Sequence, residues 1–251
     1  LAGETGQLAF NGTDGLTIDT VDGVNGITAK GSVSLEATSL TINKAIDTTS
    51  AESPALASIN LNGSVDLGVD LVTAGADITL GGSGASNTLS GGARRLDTGG
   101  GGGDVTVIGS LNGAQALTIE AGTGDISVNG EIGADEPVAG LTFDAVGLAA
   151  NQAITLAANG TLTVDNDGPG SMTGAIAGSG VSFIKTGVGT LTLTGRAAYT
   201  GDTSVLGGSE LIFRHDELPA TSALRGSGEI TLEPSSANFI GAPVIDYEFE
   251  N

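Results

Sequence analysis

The chain has 251 residues, 43 of them Gly and none of them Cys or Trp, with 8 Lys+Arg against 29 Asp+Glu for a net charge of -21. That balance argues against nucleic acid or anionic lipid as the main partner, since both are held by cationic patches. The missing cysteines exclude a disulfide framework, a thiol nucleophile and thiolate metal sites. At 3% aromatic the chain lacks the ring mass that fills a globular α/β core, whereas a narrow interior of stacked Val, Ile, Leu, Ala and Thr suits the 39% hydrophobic content.

In chain order, the first fifty residues alternate short strands with glycine corners. The strands read Gln7 to Phe10, Leu16 to Asp19, Gly26 to Ala29, Val33 to Glu36 and Leu40 to Asn43. Each keeps apolar positions separated by one small polar residue, the period-two pattern of a half-buried strand. Asn11-Gly12 and Asp22-Gly23 supply corners, and such pairs serve a coil or an antiparallel hairpin equally well. Ile46 to Pro54 reads as a polar loop. Strands resume at Ser58 to Leu61, Val65 to Leu67 and Asp77 to Leu80.

Gly81 to Asp104 holds five consecutive glycines and the adjacent pair Arg94-Arg95, and is expected to be a mobile loop leaving the coil. Its two arginines are candidates to reach a carboxylate on a partner or glycan. A phosphate-cradling role is excluded, because neither the flanking strand-helix context nor the Lys-Ser/Thr is there. Regular strands follow at Val105 to Ile108, Leu117 to Glu120, Asp125 to Val128, Leu141 to Phe143, Ala153 to Leu156 and Thr161 to Val164.

Residues 178–213 carry the clearest pattern. Val181 to Lys185 is a short apolar run, Gly187 and Gly189 break it, and Thr190 to Thr194 alternates strictly before Gly195. Thr203 to Val205, the corner Gly207-Gly208 and Glu210 to Phe213 complete the unit. With Gly178, Gly180, Lys185-Thr186-Gly187, Gly189, Thr190-Leu191-Thr192-Leu193, Gly195, Tyr199-Thr200-Gly201, Thr203 and Val205, this stretch resembles the autotransporter-associated β-strand repeat of bacterial surface proteins. The remainder is similar in texture to filamentous-haemagglutinin-like sequences. The resemblance implies a single right-handed parallel β-helix over residues 1–243, an extracellular or cell-surface location, and a role as scaffold or adhesin rather than enzyme.

Gly228 to Leu232 reads as the last regular strand, after a charged corner around His215, which is expected to be a solvated loop residue. Residues 244–251 read VIDYEFEN, with Ile245, Tyr247 and Phe249 on one face and acids on the other. This terminal amphipathic strand either caps the open end of a solenoid or pairs with the next subunit.

Carboxylates are the remaining chemistry. Asp165-Asn166-Asp167-Gly168 has the hard-oxygen, turn-forming look of a calcium site but not the full EF-hand spacing, so Asp165 and Asp167 are candidate ligands and calcium the single cofactor suggested. Asp66 with Asp70, or Asp165 with Asp167, are the carboxylate pairs a glycoside hydrolase would need. Three Asn-Gly-Ser/Thr triplets, at Asn11, Asn62 and Asn159, match the N-glycosylation acceptor pattern; they read as turns in a bacterial chain and as acceptor candidates in an organism with surface N-glycosylation. No apolar run is long enough to span a bilayer, and Leu1 in place of Met suggests a processed chain or a fragment. The expected function is a secreted structural subunit that self-associates end to end into a filament, sheath or surface layer. The alternatives are a passenger fragment displaying loops to a host surface or glycan, and a β-helical polysaccharide-active enzyme.

Overall fold

The computed structural model describes residues 7–49, 57–214 and 223–233. Among them every regular element is a β-strand, and the strands wind into a parallel β-solenoid. The terminal strand at 244–251 and His215 lie outside the described residues.

Each full turn lays down up to three strand segments. The first face stacks eleven successive strands, from Leu8–Asn11 through Val33–Ile42, Ile59–Leu67, Ile78–Leu80 and Val105–Val107 to Glu229–Leu232. A middle segment adjoins it, for example Gly15–Ile18, Ser86–Leu89, Ser110–Asn112 and Ala197–Tyr199. A second sheet of ten strands closes the coil, among them Ala116–Glu120, Gly140–Ala145, Thr161–Asn166 and Ser182–Thr186.

Alternation in the sequence becomes columns in space. On the first face Leu8 pairs with Val33, Val33 with Ile59, Ile59 with Ile78 and Ile78 with Val105, one inward residue resting on the next. The column continues without a slip in face through Ile126, Leu148, Gly170, Leu191 and Leu211 to Ile230. A one-residue slip would turn every aliphatic side chain outward, so burial of the inner row fixes the register. The partners at each rung are far apart in the chain: 19 residues separate Ile59 from Ile78, and 27 separate Ile78 from Val105. The surplus is spent at corners, leaving the ladder intact.

Gly81 to Asp104 departs from the expected excursion. It completes a turn of its own, with Ser86–Leu89 paired to Ser110–Asn112 and Arg94–Asp97 paired to Ala116–Glu120. Its strands were hidden because polar residues stand at inward positions. Asn87 is fully buried in the middle-segment column between Val65 and Leu111. There its Oδ1 accepts the Val65 N–H at 3.2 Å, and its Nδ2 donates to the carbonyls of Ile108 and Ser110 at 2.8 and 3.0 Å. The Arg94 guanidinium likewise ends on carbonyls, with Nε donating to Ser90 at 2.9 Å and Nη1 to Ala93 at 2.9 Å. The start of the expected Ile46 to Pro54 loop is also a strand: Ile46–Asp47 joins the second face, with Ile46 buried.

Two antiparallel strands stand apart from this scheme. Thr20–Val21 and Val24–Asn25 form a hairpin around Asp22 and Gly23, whose φ values of 51° and 80° are those of a primed two-residue turn. Elsewhere Asn-Gly serves the coil. Gly130 lies so close under the preceding turn that a Cβ on it would fall 1.6 Å from the Gly109 carbonyl oxygen.

Candidate functional site

The chemistry-bearing residues gather on the outside of the second face. Strict alternation aims Thr118, Thr142 and Thr163 outward in one row. Two residues on, Asp97, Glu120, Asp144 and Asp165 occupy equivalent positions on four successive strands. Neighbouring rungs are about 4.8 Å apart, so each carboxylate has like charge above or below it. Arg95 relieves one end, pairing with Asp97 at 2.7 Å and with Glu120. Among the described residues Asp144 has no ion-pair partner, and its carboxyl is held above the ordinary carboxylate range by desolvation first and then by Asp165, Glu120 and Asp167, with Arg95 acting in the opposite direction.

The two expected calcium ligands are split between elements. Asp165 belongs to the ladder on strand Thr161–Asn166, while Asp167 sits on the corner and its Oδ1 accepts the Val188 N–H at 3.2 Å. Among the described residues no group of three or more His, Cys, Asp or Glu is arranged to hold a metal ion. The hydrolase-type pair Asp66 and Asp70 is also apart in role. Asp66 lies within the strand Ile59–Leu67, and Asp70 Oδ1 accepts the Arg95 backbone N–H at 3.0 Å. The expected partner loop at Arg94 and Arg95 is therefore built into the wall, with one guanidinium on carbonyls and the other on acids.

Lys185 was not legible as a special residue. It occupies the inner column of the second face, paired to Val164 on one side and Val205 on the other, and is fully buried. Its stem replaces an aliphatic side chain while Nζ bends into the corner, donating to the carbonyls of Thr186 and of Gly187, the latter at 3.2 Å. Burial lowers its pKa to about 8, with Asp165 and Asp167 acting in the opposite direction. The protonated form is thus less favoured in the folded chain than in the unfolded one. Between pH 8 and the ordinary lysine value of 10.5 the unfolded chain holds the extra proton, so stability rises with pH across that window. In Lys185→Met this rise, about 1–3 kcal/mol, is expected to flatten. Urea unfolding at pH 7.5 and 10.5, compared between the two chains, measures it; an equal rise in both contradicts the assignment.

The remaining candidate surface is the pair of ends. Leu8–Asn11 and Glu229–Leu232 are the outermost strands of the first-face sheet among the described residues. Phe10 and Leu232 close the same inward column, through Leu35 at one end and Phe213 at the other, and each is 42% exposed where its counterparts inside are buried. The hairpin carries a second apolar pair, Val21 and Val24, at 69% and 67% exposure. No family model, curated protein or solved structure matches the chain.

Proposed function

We propose that this chain is a structural subunit of an extracellular or cell-surface assembly, and that it self-associates end to end. The observation that supports this reading is the inward column that, among the described residues, runs unbroken and finishes at both ends in a half-exposed apolar residue, Phe10 and Leu232, on an outermost strand. Outermost strands with apolar rows are templates for further strands, and head-to-tail contacts between unlike surfaces produce open fibres when the rotation does not close a ring. Electron microscopy and sedimentation of the purified full chain test the proposal. Filaments that lengthen with concentration are the expected result; particles of one-subunit mass at every concentration overturn it.

Display of a surface element to a host or glycan is the second reading, and the hairpin around Asp22-Gly23 favours it. Its valines are exposed on an excursion that the ladder does not require. Isolated rods in the microscope, with binding lost on replacing Val21 and Val24 by Ser, would select display over assembly.

A further inference from the structure

We infer that the strand Glu229–Leu232 of one copy pairs in parallel with Leu8–Asn11 of the next, in the register that the ladder already uses, so that a second copy continues the coil as its next rung. This inference rests on the end-to-end reading above and names the join.

The backbone supplies the first argument. In the solenoid the N–H of an inward residue donates to the following rung, at the residue before its partner. Leu8 donates to Ser32, Val33 to Ser58, Ile59 to Asp77 and Ile78 to Asp104, each at 2.9 to 3.0 Å. Outward residues donate back to the preceding rung, as Glu229 does to Ser209 at 2.9 Å and Glu233 to Phe213 at 2.8 Å. The N–H groups of Ile230 and Leu232 are therefore directed forward, away from the strand beneath them. Those of Ala9 and Asn11 are directed backward, away from Val33–Ile42. Placing Ile230 against Leu8 of a second copy matches all of them. Ile230 then donates to Gln7, Leu232 donates to Ala9, Ala9 donates to Ile230 and Asn11 donates to Leu232, the same pattern as every internal step.

Side chains supply the second argument. The join rests Leu232 on Phe10 and Ile230 on Leu8, the pairs that the column would have next. It places Glu229 beside Gln7, Thr231 beside Ala9 and Glu233 beside Asn11. Each acid of the leading edge meets a neutral residue, whereas within the chain Glu229 stacks on Glu210, like on like. Burying the exposed halves of Phe10 and Leu232 removes apolar surface from water at both partners at once.

The native chain has no cysteine, which makes a disulfide test clean. Ala9 and Thr231 face outward, and on neighbouring rungs their Cα atoms would be about 4.8 Å apart, inside the roughly 4.4–6.8 Å range that a disulfide spans. The full-length double variant Ala9→Cys/Thr231→Cys, oxidised mildly, is expected to give a ladder of covalent multimers on a non-reducing gel. Either single variant is limited to dimers. Ser34→Cys/Thr231→Cys, one rung further in, is expected to give no ladder. Filaments in the microscope without the Ala9/Thr231 ladder would overturn this join while leaving self-association standing through another surface. Monomers by sedimentation with no ladder would sink both, and an equal ladder from the Ser34 pair would show random collision and overturn the register.

Discussion

Replacing Phe183 by Ala is expected to destabilise the coil by about 3–5 kcal/mol. Phe183 is fully buried and sits between Leu162 and Thr203 in the inner column of the second face. Its ring stacks on Tyr199 with centroids 5.9 Å apart and planes 20° from parallel. Tyr199 is itself fixed by a 2.6 Å hydrogen bond between its hydroxyl and that of Thr203, so the ring beside the vacated space has little freedom to fill it. The rungs above and below are pinned by their own ladders and close the gap poorly, which is the condition under which a large-to-small change leaves a cavity and costs most. Urea unfolding at neutral pH measures the loss; a change below about 1 kcal/mol would contradict this account of the packing.

Gly130→Ala is expected to cost at least about 3 kcal/mol, at the upper end of ordinary point mutations. The added carbon would meet the Gly109 carbonyl oxygen at 1.6 Å, the carbonyl carbon at 2.1 Å and Ser110 N at 2.8 Å, all backbone atoms of the turn beneath. No rotamer relieves that clash, so two rungs must separate locally. Gly92→Ala is the matched control, because nothing lies within 4 Å of its added carbon, and its effect is expected within about 0.5 kcal/mol. Comparable losses at both sites would mean that the corners yield easily.

These contrasts also mark what could be read in advance. Thr190 to Leu193 alternates in sequence and alternates in burial, because period two is a property of the single strand. Parallel pairing is a property of two strands, and the turn residues did not decide it: Asp22-Gly23 reverses the chain into an antiparallel hairpin, while Asn129-Gly130 only turns a corner. Gly81 to Asp104 reads as a loop because Asn87 and Arg94 stand at inward positions that neighbouring rungs fill with aliphatic residues. Asn87 is satisfied by backbone groups that only neighbouring rungs bring near, while Arg94 ends mainly on the carbonyls of its own corner, Ser90 and Ala93. Gly147–Ala150 and Gly170–Met172 give little contrast for the opposite reason, since one of the two inner positions in each holds a small residue, Ala150 and Gly170. Among site residues, Asp165 and Asp167 are adjacent on paper but serve different elements, whereas the row from Asp97 to Asp165 is scattered in sequence and assembled by register alone. Lys185 is legible only as the end of the apolar run and as part of the repeat pattern, because the carbonyls of Thr186 and Gly187 that take its Nζ are placed by the folded corner.

Since the surplus residues of each turn leave at the corners, the rungs themselves are interchangeable units of nearly equal height. Growth or loss by whole coils, about twenty residues and about 4.8 Å at a time, preserves every remaining neighbour. A gene for such a chain can set the reach of its product in fixed increments, much as a surveyor counts links, while partial-coil changes are filtered out by the misplacement of everything downstream.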